Sequence, residues 1–382
     1  MKMNLVARTY AGLEEVLAEE LTQLGAEHVK VAKRAVEYAG DKEILYKSNL
    51  WLRTALDILK PIHQFKAKST EELYAGVSEI DWTGYLDLKK TFSVQAIVNS
   101  SYFNHSQFAA LKCKDAIVDQ FREKTNDRPD IDKYDPDLKI VIRISENKCS
   151  ILLNSSGTPL FKRGYRKTTG DAPINEILAA GMIQLSGWNG KTPFIDPMCG
   201  SGTLCIEAGM KSLNIAPGIL RDDFAFQKWR DFDIELWDML YFEAKDAINT
   251  SDVKIYGFDI SGQTVRIAKN NMSSFRELRK NITFNQADFF SLEKPAENGI
   301  IVTNPPYDKR IKLQDDVAFY SDIGNRLKHF WEGHDAWIIS SNLFALKRIG
   351  LRPNRNIILY NGPDESKLVH LPLYKGKKGH KA

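Results

Sequence analysis

The sequence predicts an α/β protein in which a doubly wound parallel sheet forms the C-terminal part, behind a smaller α+β region. Three observations lead there. From Pro193 onward, short apolar runs at 194–196, 255–259, 282–284, 300–302, 337–339 and 357–360 alternate with helix-length segments, as strands covered on both faces do. The first run opens into a glycine-rich turn, Asp196-Pro197-Met198-Cys199-Gly200-Ser201-Gly202-Thr203, and then a helical stretch, the ligand-binding end of a Rossmann-like βα unit. Ahead of residue 158, strands and amphipathic helices alternate with no constellation of catalytic side chains.

At 382 residues the chain exceeds one ordinary core, so two or three domains are expected. With 43% hydrophobic and 27% charged residues it has a globular composition, which excludes disorder and fibrous repeats. No apolar run approaches the ~20 residues that cross a bilayer, and Arg8 followed by Glu14, Glu15, Glu19 and Glu20 leaves no leader-like stretch. A cytoplasmic protein with no membrane partner is expected. The four cysteines form no CxxC pair and His105 has no second ligand at metal spacing, so neither disulfides nor a metal are expected. A net charge of +4 does not by itself argue for nucleic acid. Local charge says more: 158–169 holds Lys162, Arg163, Arg166 and Lys167 without an acid, and 375–381 holds four lysines without one, both candidate phosphate contacts.

In order along the chain, 5–9 reads as a strand and 13–24 as a helix with Leu13, Val16, Leu17, Leu21 and Leu24 on one face, stopped by Gly25. A strand over 29–38, a helix over 41–52 and a strand over 55–63 complete a ferredoxin-like unit, assigned to 1–65. Ser69 with Glu72 three residues on is a capping box that opens a helix. Phe92, Val94, Ala96 and Val98 alternate as a strand, and 107–124 is a long helix with Phe108, Leu111, Ile117, Val118 and Phe121 on one side. Strands at 139–145 and 150–154 close a second unit, 66–157. The basic linker 158–170 leads to the doubly wound domain, 171–382, which begins with a helix over 174–185.

What the glycine-rich turn lacks helps to define its ligand. A dinucleotide fingerprint needs a third glycine and a P-loop needs a lysine, and Gly200-Ser201-Gly202 offers neither. Acids stand instead at three successive strand ends: Asp196, Asp259 in Gly257-Phe258-Asp259-Ile260, and Asp288 ahead of Phe289. That set suits a ligand bearing an ammonium, ribose hydroxyls and an adenine amine, namely S-adenosylmethionine. Its candidate contacts are Asp196, Pro197, Cys199, Gly200, Ser201, Gly202, Thr203, Asp259, Ile260, Asp288 and Phe289.

The strand over 300–302 ends in Thr303-Asn304-Pro305-Pro306-Tyr307. Two successive prolines continue neither sheet nor helix, which leaves a stiff backbone and a carbonyl free to accept. An amine conjugated to a base ring is a poor nucleophile because its lone pair is delocalised. The Asn304 side-chain oxygen and the Pro305 carbonyl can hold its two N–H groups, aim the lone pair and stabilise the charge that develops on nitrogen. Tyr307 is expected to stack on the base, worth ~1–3 kcal/mol. Asn304, Pro305, Pro306 and Tyr307 are thus the catalytic candidates. Cys199 as a nucleophile toward a pyrimidine carbon is disfavoured, since its slot in the turn is a small-residue packing position.

These residues resemble the amino-group methyltransferases of the class I fold, in which an Asn-Pro-Pro-Tyr type motif accompanies an adenosylmethionine turn. Asn214-Ile215-Ala216-Pro217-Gly218 followed by Phe224, Phe226 and Trp229 is similar to a segment of the 23S rRNA guanine-N2 methyltransferase family. It accounts for the 63 positions from Asp196 to Asp259. Residues 160–166 and 172–180 resemble that family's linker and first methyltransferase helix, and 106–122 resembles part of a THUMP domain behind a ferredoxin-like domain. The resemblance implies a Rossmann-like class I methyltransferase domain with an N-terminal RNA-binding region, methylating guanine N2 in large-subunit rRNA, with Lys162, Arg163, Arg166 and Lys167 along the RNA path. The proteobacterial form has a second methyltransferase module that this sequence does not contain, so only the guanine-N2 activity is expected. Guanine-N2 methylation of tRNA, N6-adenine methylation and a non-catalytic RNA-binding assembly factor stay open as alternatives. The residues set neither the target nucleotide nor an oligomeric state.

Overall fold

The computed structural model describes residues 2–168, 173–306, 316–362 and 364–374. The N-terminal half runs β1 (Met3–Arg8), α1 (Glu14–Gln23), β2 (Glu27–Ala32), β3 (Ala35–Gly40), α2 (Lys42–Trp51), β4 (Asp57–Lys66), α3 (Thr70–Ser78), β5 (Phe92–Asn99), α4 (Ser106–Thr125), β6 (Leu138–Ser145) and β7 (Lys148–Asn154). Two of its helices, α2 and α3, begin where side chains satisfy free N–H groups. Asp41 accepts from Ile44 N (3.0 Å), and Ser69 Oγ accepts from Glu72 N (3.2 Å) while Glu72 reaches back to Lys68 N (2.7 Å).

All seven strands lie in one sheet, ordered β2-β3-β1-β4-β7-β6-β5. Only β5 and β6 run parallel; the other pairs are antiparallel. The segments 1–65 and 66–157 therefore share a sheet, joined along β4 and β7 from Leu59↔Asn154 to Lys66↔Lys148. The single strand expected over 29–38 is instead a hairpin, β2 turning into β3 at Lys33 and Arg34, with Arg34 at φ 55. A two-residue turn holding a left-handed arginine carries none of the glycine or asparagine signals that announce a hairpin.

The C-terminal half runs α5 (Glu176–Leu185), β8 (Phe194–Asp196), α6 (Thr203–Ser212), α7 (Ile234–Asp246), β9 (Ile255–Asp259), α8 (Gly262–Met272), β10 (Ile282–Gln286), β11 (Gly299–Thr303), α9 (Asp316–Phe330), β12 (His334–Ser340), α10 (Leu343–Leu346), β13 (Arg355–Asn361) and β14 (Asp364–Pro372). Its sheet has the order β10-β9-β8-β11-β12-β14-β13, parallel from β10 to β12 and antiparallel at β14 and β13. The doubly wound α/β class is as expected. Strand order reverses at β8, with β9 on one side and β11 on the other, and ligands of such sheets bind at that point beyond the carboxyl ends.

The segment between α6 and α7 docks the halves together. Gly218 lies so close that a Cβ there would sit 3.1 Å from Leu50 Cα, and its N–H donates to Leu50 O (2.9 Å). Phe226 stacks on Tyr46 with ring centroids 4.3 Å apart. The Arg221 guanidinium donates to the carbonyls of Ser156, Thr158, Pro159 and Lys162 at 3.0–3.1 Å. Beneath them lies an ionic cluster, with Arg163 Nε 3.5 Å from Glu207 Oε1 and both side chains at most 2% exposed. Tyr165 donates to the same oxygen (3.1 Å), and Arg53 donates to Ile215 O (2.8 Å). At the sheet's far edge Gly12 (φ +90) abuts β13, where a Cβ would meet Ile358 O at 2.4 Å, and Arg34 covers the Tyr360 ring.

Candidate active site

β8 delivers Asp196 to the switch point, where it is 1% exposed. Its Oδ1 accepts from Thr303 Oγ1 (2.7 Å), at the end of the adjacent β11, and from Met198 N (3.3 Å). Burial pushes its carboxyl up to about 7; the two hydrogen bonds oppose that rise and the charge of Asp259 adds to it. The turn that follows depends on glycines at Gly200 (φ 53) and Gly202 (φ 84), both in the left-handed region. At Gly202 space is limiting too: a Cβ would lie 2.8 Å from Phe284 Cζ and 3.0 Å from Ala268 Cβ.

Asp259, closing β9, holds this turn as well as facing the cavity. Its Oδ2 accepts from Gly200 N (3.0 Å) and its Oδ1 from Ser261 N (2.9 Å). Asp288 follows β10 and accepts from Phe290 N (3.1 Å). Phe289 is 4% exposed and stacks on Trp331. The half-buried Phe290 packs edge-on against Phe319 of α9, ring centroids 5.8 Å apart, and both rings line the site.

One cavity of about 540 Å³ gathers Asp196, Pro197, Cys199, Gly200, Ser201, Asp259, Ile260, Asp288, Phe289, Asn304 and Pro306. Its size falls in the usual range for a small-molecule site. Gly202, Thr203 and Pro305 stand behind its wall: Thr203 is 2% exposed and Pro305 is buried. Among the described residues the Asn304 amide has no hydrogen-bond partner, and it faces the cavity beside the turn. Tyr307 lies outside the described residues, as do the lysines of 375–381. Burial, followed by the charges of Asp196 and Asp259, pushes the Cys199 thiol well up, which disfavours the thiolate.

Two of the four linker cations, Arg163 and Arg166, depart from the expectation. Arg163 is 2% exposed and bonded to Leu160 O (2.9 Å), to Arg53 O and to the Glu207 pair, so no phosphate can reach it. Arg166 is a strut, donating to Glu176 Oε1 (2.7 Å), Thr203 Oγ1 (3.0 Å) and Ser201 Oγ (3.2 Å), and so fixes the linker to the glycine turn. Lys167 is exposed but donates to Ser273 Oγ (3.0 Å); Lys162 is exposed. Phe290, Phe319, Ser261 and Thr264 line the cavity without having been foreseen. Only the repeat of phenylalanine after Asp288 hinted at any of them.

Three carboxylates, a glycine turn and the part-exposed Asn304 amide surround one cavity at the switch point, and the likenesses that follow make this a class I methyltransferase that uses S-adenosylmethionine. The chain belongs to the family described as "RMKL-like, methyltransferase domain", whose profile matches residues 163–369. A THUMP domain profile matches 67–154 and an RlmL ferredoxin-like domain profile matches 4–59. A Synechocystis sp. protein provisionally named an RNA methyltransferase is 39% identical over 365 residues, 95% of each chain. The ribosomal RNA large subunit methyltransferase K/L of Psychromonas ingrahamii is 38% identical over 364 residues, 94% of this chain but 48% of that one. This chain thus spans about half the length of that relative. The crystal structure of SMU.472 complexed with SAH, the demethylated cofactor, superimposes with TM-score 0.87 at 32% identity, covering 98% of this chain and 99% of that one.

Proposed function

We propose that this chain transfers a methyl group from S-adenosylmethionine to the exocyclic N2 amine of a guanosine in large-subunit rRNA, in the cytoplasm. The observation that carries the chemistry is Asn304, at the carboxyl end of β11, in the wall of the cavity that holds the glycine turn. Likeness to the K/L methyltransferase over 94% of the chain supports rRNA as substrate, and the THUMP match supports a separate grip on RNA. A guanosine must be unpaired or flipped to enter such a cavity.

S-adenosylmethionine, when bound, supplies a methyl group on a sulfonium, an electrophile that needs no further activation. The Asn304 amide oxygen accepts one N–H of the base amine, which turns the lone pair out of conjugation, while Pro305, buried behind the wall, stiffens the backbone that carries Asn304. The same acceptor stabilises the positive charge as it forms on nitrogen. Asp259 takes the ribose hydroxyls, Asp288 the adenine amine and Asp196 the ammonium, with Phe290 and Phe319 walling the adenine end. No base is required before attack; the nitrogen loses its proton to water afterwards.

The test is incubation of the purified chain with labelled S-adenosylmethionine and unmodified 23S rRNA or tRNA transcripts, then mass spectrometry of the digested nucleosides. N2-methylguanosine from 23S rRNA is expected. The same product from tRNA alone would keep the chemistry and move the substrate. N6-methyladenosine would overturn the guanine assignment, and bound cofactor with no product from any RNA would favour an assembly factor.

A further inference from the structure

The internal use of Arg163 and Arg166 leaves open where the RNA is held near the cavity. The turn after β12 supplies what the linker does not. From Ala336 to Gly362 the sequence contains no acid, and Lys347, Arg348 and Arg352 fall within it. All three side chains are exposed, and none is ion-paired among the described residues. In the same turn Phe344 is 61% exposed, with the Arg348 guanidinium 5.3 Å from its ring centroid.

Topology places this turn beside the catalytic strand. β12 runs parallel to β11 with Thr303 opposite Ile338, so α10 emerges on the same carboxyl edge as Asn304. It is fixed there: Asn342 accepts from Ala345 N (3.0 Å) and donates to Asp316 Oδ2 (3.0 Å), in the first turn of α9. Three residues further along α9, Phe319 faces the cavity. An exposed ring with a guanidinium against it and two further exposed cations in the same turn suits a flat base joined to phosphates.

We infer that residues 341–352 form a second nucleic-acid contact at the rim of the active site, in which Phe344 stacks on a base flanking the target and Lys347, Arg348 and Arg352 hold its phosphates. This rests on the proposed RNA methylation. The contact would keep the neighbouring nucleotides splayed while the target base is in the cavity.

The test compares wild type with a Lys347→Ala, Arg348→Ala, Arg352→Ala triple variant and with Phe344→Ala and Phe344→Trp, using an unmodified 23S rRNA transcript. The triple variant is expected to bind RNA about 10-fold or more weakly at moderate salt, with the slope of log affinity on log salt reduced by about 2. Calorimetric affinity for SAH should be unchanged, which shows the fold and cofactor site intact. Phe344→Ala should raise KM for RNA about 10-fold with kcat nearly kept, and Phe344→Trp should restore it. If wild type methylates the transcript while the variants match it in affinity and salt slope, the rim contact is wrong and the methylation proposal stands. If wild type binds SAH but neither binds nor methylates any RNA, both fall. An acidic protein retained through this turn in place of RNA would also overturn it.

Discussion

Asp196 is a carboxylate whose ionisation is held near neutrality by burial, against an ordinary value of 3.8. In the free chain its folded value lies above its unfolded one, so its contribution to stability is full below the unfolded value and is lost as pH rises through about 7. Asp196→Asn should therefore unfold with a flatter pH dependence from about pH 4 to 7, measured by thermal denaturation. A cation arriving beside the carboxyl favours its ionised form, so wild-type affinity for S-adenosylmethionine should rise between about pH 6 and 8, while the Asn variant stays flat. A flat wild-type profile would separate Asp196 from the ammonium. Asn304→Ala should leave calorimetric cofactor affinity nearly unchanged and slow methyl transfer about 100-fold or more. Asp259→Ala should weaken cofactor binding about 10-fold or more, by losing the proposed ribose contact and the anchor on Gly200 N. At this scale the sequence was informative about which residues come together: Asp196, Gly200, Asp259 and Asn304, far apart along the chain, line one cavity. It was misleading where burial decides: a run of Lys162, Arg163, Arg166 and Lys167 reads as a solvated basic strip, yet two of the four lie inside a domain junction that no local pattern reveals.

At the scale of elements, the parallel strands were legible because strands buried on both faces must be uniformly apolar, as Phe194-Ile195 and Ile300-Ile301-Val302 are. β14 was not, because Asp364-Glu365-Ser366-Lys367 opens it with polar residues, and its buried positions, Ser366, Leu368, Val369 and Leu371, mix a polar residue with three apolar ones. The β2–β3 hairpin escaped notice for want of a turn glycine. Where α6 crosses β9 and β10, contact distance is set by glycine. Gly202→Ala adds a methyl 2.8 Å from Phe284 Cζ in a left-handed backbone, and should cost about 1–3 kcal/mol. A denaturant midpoint equal to wild type would show that Phe284 can move aside. The length between α6 and α7, odd for a plain βαβ unit, is explained once Gly218, Phe226 and Arg221 are seen to face the N-terminal half.

At the scale of the molecule the buried Arg163–Glu207 pair, with Arg53 beside it, joins the halves into one packed unit. Arg163→Met alone strands a buried carboxylate and should cost about 3–5 kcal/mol, whereas Arg163→Met with Glu207→Leu should recover most of the loss. Thermal scans of the two variants test this, and equal melting temperatures would mean that the charge pair is dispensable.

The approach of Gly12 to Ile358, with Arg34 over Tyr360, bears on solubility as well as on assembly. β13 is the outermost strand of its sheet, with β14 as its one sheet neighbour, and an outermost strand presents unpaired N–H and C=O groups that invite pairing with another molecule. The N-terminal half acts there as a guard rail. A fragment beginning at the linker should thus self-associate in light scattering even if its cofactor cavity is intact, and a charged residue in place of the exposed Ile358 should restore a dispersed state.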